Sequence, residues 1–172
     1  MSDALAPTPD PTAPEAGGTE PGLTVPEAEG TEPDPTAPVE LSLYEAAGGM
    51  PFFVALVDAF YEGVVTDAVL LPLYALDDIA GARHRLTLFL AQYWGGPTTY
   101  NDERGHPKLR MRHMPFRVGP AERDHWLLHM AAAVDQVPSS PQIRQALMAY
   151  FVPSAEHLRN DTGLPISSAR TR

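Results

Sequence analysis

The first forty residues of this chain hold nine prolines and nine carboxylates, with no lysine, arginine or aromatic side chain among them. A stretch of that composition cannot bury enough apolar area to offset the entropy lost on ordering. The sequence therefore predicts a disordered, acidic, proline-rich tail over residues 1–40 and confines the folding problem to the chain beyond residue 40. The tail also repeats itself: the run from Pro14 to Pro21 returns with one change as Pro26 to Pro33, and Pro9 to Pro14 returns as Pro33 to Pro38. Such duplication without apolar faces to stack reads as an extended, self-repelling spacer and not as a solenoid.

Setting the tail aside changes the electrostatic picture. Of the formal charge of −10, nine units belong to residues 1–40, and the remaining chain carries 12 basic and 13 acidic side chains. A nearly neutral folded part has neither the basic footprint of a nucleic-acid binder nor a polybasic membrane patch. The basic residues do gather between Arg104 and Arg123, where a ligand with two carboxylates would satisfy several of them. The chain lacks cysteine, which excludes disulfides, thiolate zinc sites, iron–sulfur clusters, cysteine nucleophiles and covalent haem attachment. The N-terminus has no basic start followed by an apolar core, and no apolar run is long enough to cross a bilayer, so the expectation is a soluble cytoplasmic protein.

From Leu41 onward the punctuation predicts helices. Ser42-Leu43-Tyr44-Glu45 fits a capping box, and Gly48-Gly49 ends a short first helix. Pro51 suits the first turn of a second, with Phe53, Val57, Phe60, Tyr61 and Val64 at helical spacing. A brief turn from Thr66-Asp67 ends near Pro72. Asp77-Asp78 can cap a longer helix striped by Ala82, Leu86, Phe89, Leu90 and Tyr93 and stopped by Gly95-Gly96-Pro97. A short helix can end at His113. Gly119-Pro120 opens another, with Trp126, Met130, Ala133 and Val137 on one face. A last helix after Pro138 presents Ile143, Leu147, Tyr150, Phe151 and Leu158, and Pro153 is expected to kink or break it. No alternating β-branched run competes, so the fold class is all-α. The segment from Gly95 to Gly119 adds little apolar mass, a deficit that a planar apolar cofactor would fill.

Several separated anchors now fall into one pattern: Phe60-Tyr61, Asp77-Asp78-Ile79-Ala80-Gly81-Ala82, Phe89 to Pro97, Arg104-Gly105-His106-Pro107, Leu109 to His113, Pro115-Phe116 and Glu122-Arg123-Asp124-His125-Trp126. In this order and at this spacing they closely resemble group II truncated haemoglobins, over about Leu43 to Leu158. The resemblance implies a two-over-two helical sandwich around haem b, a globin domain over residues 41–159 and a polar C-terminal tail over residues 160–172. It implies His113 as the proximal iron ligand, and a neutral imidazole is a good axial donor that leaves the sixth position to a small gas. His106, between a glycine and a proline, is the competing candidate.

On the distal side the resemblance aligns Ala82 with the position where many globins carry a histidine, and a methyl group cannot donate a hydrogen bond. It assigns that task to Tyr61, Tyr74 and Trp126, whose O–H and N–H groups would hold bound dioxygen and slow its release. Read from pattern alone, these three are equally core aromatics. Leu86, Phe89, Leu90, Met111 and Phe116 would line the ring, although each also reads as ordinary core. Arg85, Tyr100 and Arg112 match positions that meet the propionates, with solvated helix-face charges as the alternative for the two arginines.

The ligands implied are dioxygen, carbon monoxide and nitric oxide. The resemblance permits nitric oxide dioxygenation or peroxidase-like chemistry, and turnover would need an external reductase because the chain has no flavin or nicotinamide fingerprint. In a homo-oligomer the last helix would contribute to the subunit contact. Two rival readings rest on other residues. Glu103-Arg104-Gly105-His106 and Glu122-Arg123-Asp124-His125 are Glu-x-x-His patterns, as in di-iron helical bundles, but Gly105 and Pro107 disrupt the first. His125 and His129 stand one helical turn apart and could clamp zinc, yet His-Trp-Leu-Leu-His lacks the glutamate base of a metalloprotease. A cofactor-free helical interaction module is the third class.

Overall fold

The computed structural model describes residues 41–161, and the expectations for the tails over residues 1–40 and 162–172 lie outside the described residues. The described residues form helices and contain no strand, as the hydrophobic spacing predicts. Seven α-helices follow in order: α1 (Leu43–Ala47), α2 (Met50–Val64), α3 (Ile79–Tyr93), α4 (Thr99–Arg104), α5 (Leu109–His113), α6 (Pro120–Gln136) and α7 (Pro141–His157). Two 3-10 turns, Leu71–Leu73 and Leu76–Asp78, bridge α2 to α3. None of these helices is long and apolar enough to cross a membrane.

Local chemistry explains most of the boundaries. The Ser42 hydroxyl accepts from the Glu45 N–H at 3.2 Å while the Glu45 carboxylate accepts from the Ser42 N–H at 2.9 Å, closing the capping box. Gly48 at φ 106° then ends α1 in the left-handed conformation that glycine adopts without strain. Pro51 lies in the first turn of α2, and Pro120 and Pro141 do the same for α6 and α7. Asp78 occupies the N-cap position of α3, but its side chain makes no cap hydrogen bond. Its carboxylate pairs with Arg85 at 2.8 Å instead, so the sequence placed the boundary correctly and assigned the wrong job to the residue.

The core is built on α2, whose Phe52, Phe53, Leu56, Val57, Phe60, Tyr61 and Val64 are all buried. Burying a large apolar side chain contributes about 1.5–3 kcal/mol, so this one helix supplies a large share of the hydrophobic stabilisation. It packs on both α3 and α6, and α6 packs on α7. One pair, α2 with α3, thus lies against the other, α6 with α7. Met130, Ala133 and Val134 of α6 and Ile143, Leu147 and Phe151 of α7 complete the core.

Two departures have clear physical reasons. Pro153 does not break α7, which runs unbroken from Pro141 to His157 with the proline inside it. Its exposed ring faces away from the core, and the buried Ile143, Leu147, Phe151 and Ala155 hold the helix together on the opposite side. The last described residues are also tied down. The Asn160 side-chain amide donates to the carbonyls of His113 at 3.0 Å and Phe116 at 2.7 Å, and its carbonyl accepts from the Val118 N–H at 2.9 Å. The Asn160 and Asp161 N–H groups donate in turn to the Val118 carbonyl at 3.0 and 3.1 Å.

Because a helix-interior proline forfeits a backbone hydrogen bond and crowds the preceding turn, Pro153→Ala should raise stability by about 1–3 kcal/mol. Thermal unfolding monitored by circular dichroism measures it, with a higher Tm as the expected result.

Candidate haem site

His113 ends α5, and its Nδ1 stands 2.7 Å from the Leu109 carbonyl oxygen. A carbonyl can only accept, so Nδ1 carries the proton and the Nε2 lone pair is left for a metal. This is the tautomer an axial imidazole requires, and the carbonyl fixes the plane of the ring. His106 is placed otherwise. Its Nδ1 accepts the Lys108 N–H at 3.3 Å, in an exposed loop beyond the end of α4. That lone pair is already engaged, which favours His113.

The short helix α5 is held from both ends. Arg112 donates to the carbonyls of Pro107 and Arg104, each at 2.7 Å, and reaches that of His106 at 3.5 Å. Its guanidinium therefore braces the α4–α5 loop, where the resemblance implied a propionate partner. Lys108 opens α5 at φ 40° and ψ 48°, a left-handed conformation that costs a non-glycine residue about 1–2 kcal/mol, and Arg112 spans that strained turn. Beside His113, Met111 is 67% exposed and Phe116 is also largely exposed. Apolar side chains in such a position suit contact with a porphyrin face.

Residues expected on the distal side come from α2, the segment after the 3-10 turn Leu71–Leu73, α3 and α6. The Tyr61 and Tyr74 rings stand edge to face at 5.5 Å, near enough for each phenol to influence the other. Burial pushes both phenols above their ordinary range, so they keep their protons, and the neighbouring Tyr74 adds to the effect on Tyr61. Trp126 packs on Phe60 at 5.3 Å and Phe151 at 5.7 Å. Ala82 and Leu86 pack on the core from α3. Phe89 and Leu90 are buried, and Tyr100 meets Phe89 edge to face at 5.6 Å. Arg85 lies near enough to Tyr61 to influence its phenol, but its guanidinium is paired with Asp78.

A cluster that the sequence did not reveal joins α2 to α6. One carboxylate oxygen of Asp67 accepts from His125 Nδ1 at 2.8 Å and His129 Nε2 at 2.7 Å, while the other accepts the N–H groups of Val69 and Leu70. The helical spacing of the two histidines was visible. Their partner, far back in the chain, was not. Both rings are thus engaged with a carboxylate that is only 7% exposed, and no group of three potential ligands among the described residues is arranged to hold a metal ion. The zinc clamp is not formed. Nor is a di-iron site: α4 ends before His106, Glu103 pairs with His84 at 3.0 Å, and Glu122 caps the Gly119 N–H at 2.8 Å. Gly63 makes room for the cluster, because a Cβ there would stand 2.2 Å from His129 Nδ1.

Burial alone would raise the Asp67 carboxyl, but the hydrogen bonds from His125, His129 and the two backbone N–H groups overcome it and hold the group well below its ordinary value of 3.8. A depressed carboxylate stabilises the fold fully above that ordinary value and loses its contribution as pH falls toward the folded-state value. Asp67→Asn should cost about 1–3 kcal/mol near neutral pH and flatten the acid limb of the stability profile. Urea unfolding at a series of pH values tests both parts.

Comparison with known proteins agrees with this geometry. The family profile described as "Bacterial-like globin" matches residues 42–160. A group 2 truncated hemoglobin, YjbI of Bacillus subtilis (strain 168), is 40% identical over 119 residues, covering 69% of this chain and 89% of that protein. The X-ray structure of a thermostable hemoglobin from Thermobifida fusca superposes with a TM-score of 0.68 at 51% identity, over 70% of this chain and 98% of the other. That of a truncated oxygen-avid haemoglobin from Bacillus subtilis gives 0.66 at 38% identity, over 70% and 100%. An imidazole with the tautomer a metal ligand needs, a cluster of aromatic side chains and these likenesses have one meaning: the chain belongs to the bacterial-like globins, as a group II truncated haemoglobin that carries haem b and binds small diatomic ligands such as dioxygen.

Proposed function

We propose that this globin binds dioxygen tightly and releases it slowly, with His113 as the proximal ligand and Tyr61, Tyr74 and Trp126 as the distal donors. The observation that carries this reading is the edge-to-face Tyr61–Tyr74 pair, set beside the Phe60 ring that meets Trp126. Haem b supplies an iron that takes a diatomic molecule and shifts electron density onto it. The O–H groups of Tyr61 and Tyr74 and the N–H of Trp126 would donate to the partly negative ligand, which would make each bond charge-assisted. Carbon monoxide and nitric oxide fit the same pocket but gain less from those donors. The oxygen-avid relative from Bacillus subtilis supports the assignment, and likeness to bacterial globins supports a cytoplasmic setting.

On the proximal side the Leu109 carbonyl holds the His113 Nδ1 proton and orients the ring, while Asn160 grips the carbonyls of His113 and Phe116. Leu86, Phe89, Leu90, Met111 and Phe116 supply apolar contacts. Tyr100, Arg85 and Arg112 are the groups for the propionate edge, with one guanidinium nitrogen of Arg85 also paired to Asp78.

The same donors can polarise a bound peroxide, and we assign peroxide reduction as a second activity, dependent on an external electron donor. Nitric oxide dioxygenation would require a separate reductase.

Trp126→Phe should speed oxygen release about tenfold, the loss of roughly 1–1.5 kcal/mol for one hydrogen bond, with haem content retained. Stopped-flow displacement of oxygen measures it, and an unchanged rate would remove Trp126 from the distal role. His113→Ala should weaken haem retention and alter the spectrum of the reduced protein with carbon monoxide. A spectrum identical to that of the parent would transfer the ligand role to His106.

A further inference from the structure

Arg83 reaches from α3 across to α2. Its Nη1 donates to Asp58 Oδ1 at 2.9 Å, and its guanidinium carbon stands over the Tyr61 ring, 5.4 Å from the centroid. At that distance a cation is attracted to the face of an aromatic ring. Asp58 precedes Tyr61 by three positions on α2, so the two lie one helical turn apart and a single side chain from α3 meets both. The groups differ in exposure. Tyr61 is 2% exposed, whereas the side chains of Arg83 and Asp58 are 33% and 52% exposed. An ion pair so open to water contributes little to stability. What the arrangement does fix is a positive charge over the ring of a buried phenol.

We propose that Arg83, anchored by Asp58, is a positioning residue for dioxygen binding that acts through Tyr61: the guanidinium over the ring makes the phenol O–H a stronger donor to the bound ligand. The proposal rests on the reading of Tyr61 as a distal donor and says what sets the strength of that donor.

A cation over an aromatic face draws on the π electrons. The phenol oxygen loses density in turn, so its O–H becomes more acidic and gives a stronger hydrogen bond to a partly negative acceptor. Burial works the other way. It pushes the Tyr61 phenol up, Tyr74 adds to that, and the charges of Arg85 and Arg83 pull it back. Arg85 acts from a guanidinium paired with Asp78, whereas Arg83 acts through the face of the ring itself. The adjacent Ala82 has no group to donate. At this point α3 therefore contributes charge through Tyr61 in place of a hydrogen bond of its own.

Such an effect is selective between gases. Bound dioxygen carries partial negative charge and gains from a stronger donor, while carbon monoxide carries little and gains less. A guanidinium that only blocked a passage between α2 and α3 would slow the escape of both alike.

The haem-loaded full chain is compared with Arg83→Gln, Arg83→Met as a second neutral replacement, Arg83→Lys, Tyr61→Phe and the Arg83→Gln/Tyr61→Phe double variant. Haem content and Tm close to those of the parent show that each variant folds. Either neutral replacement should speed dioxygen release about threefold, a part of the roughly tenfold that a whole distal hydrogen bond supplies. Carbon monoxide release should stay at the parent rate, and Arg83→Lys should restore most of the lost retention of dioxygen. In the Tyr61→Phe background, Arg83→Gln should add no further acceleration. A second readout does not depend on ligand release. With tyrosine labelled at Cζ, the carbon NMR signal that Tyr61→Phe removes from the carbon monoxide complex should shift in Arg83→Gln and return toward its parent position in Arg83→Lys. If Tyr61→Phe speeds dioxygen release while the neutral replacements at Arg83 do not, the proposal is overturned and the distal reading stands. Equal acceleration of both gases, or the same acceleration with and without the Tyr61 hydroxyl, also overturns it. If Tyr61→Phe itself leaves dioxygen release unchanged, the distal reading of Tyr61 is what fails, and the proposal falls with it.

Discussion

Everything in this fold leans on the apolar face of α2. A helix of 15 residues buries seven side chains, and it does so against two partners at once, α3 on one flank and α6 on the other. Side chains on one helix keep fixed angular relations, so the packing that closes the core also places Tyr61 on the same helix. Phe60 turns toward Trp126 and Tyr61 toward Tyr74. The placing of Tyr61 and its aromatic neighbours is in this sense a by-product of core packing, set by a helix that cannot rotate without exposing phenylalanine.

The proximal side obeys a different logic. There the helix that ends at His113 has only five residues, too short to be stable through its own hydrogen bonds. It is fixed by side chains that reach carbonyls: Arg112 to the loop before it, Asn160 to the turn after it. The histidine is thus mounted on polar struts while the donors opposite are mounted on an apolar core. Asp67 adds a polar strut at the far side, joining the end of α2 to α6 through two imidazoles.

How much of this the sequence disclosed depends on the range of each interaction. The capping box at Ser42, the helix-opening prolines and the spacing of Phe53, Val57 and Phe60 act within a turn or two, and they were legible. Of the kink or break expected at Pro153, the break does not occur, because the buried Ile143, Leu147 and Phe151 outweigh a local steric cost. The loop between Gly95 and Gly119 hid α4, whose few polar residues carry almost no periodicity. For the site, the resemblance named His113 and the aromatic donors, and it matched Arg85 and Arg112 to positions that meet the propionates. The structure gives their guanidinium groups Asp78 and backbone carbonyls. Asp67 and Asn160 escaped notice because their partners are dozens of positions away and neither lies in a recognisable pattern.

Asn160 and Asp161 come after the last helix, in a stretch whose composition alone suggests dispensable chain. Yet three hydrogen bonds of one amide side chain clasp the back of the segment that presents the His113 imidazole. A shortened version trimmed at the end of α7 would keep every helix and still unfasten that clasp. The functional boundary of this globin therefore lies two or more residues beyond its last helical turn, at a place marked by no hydrophobic signal.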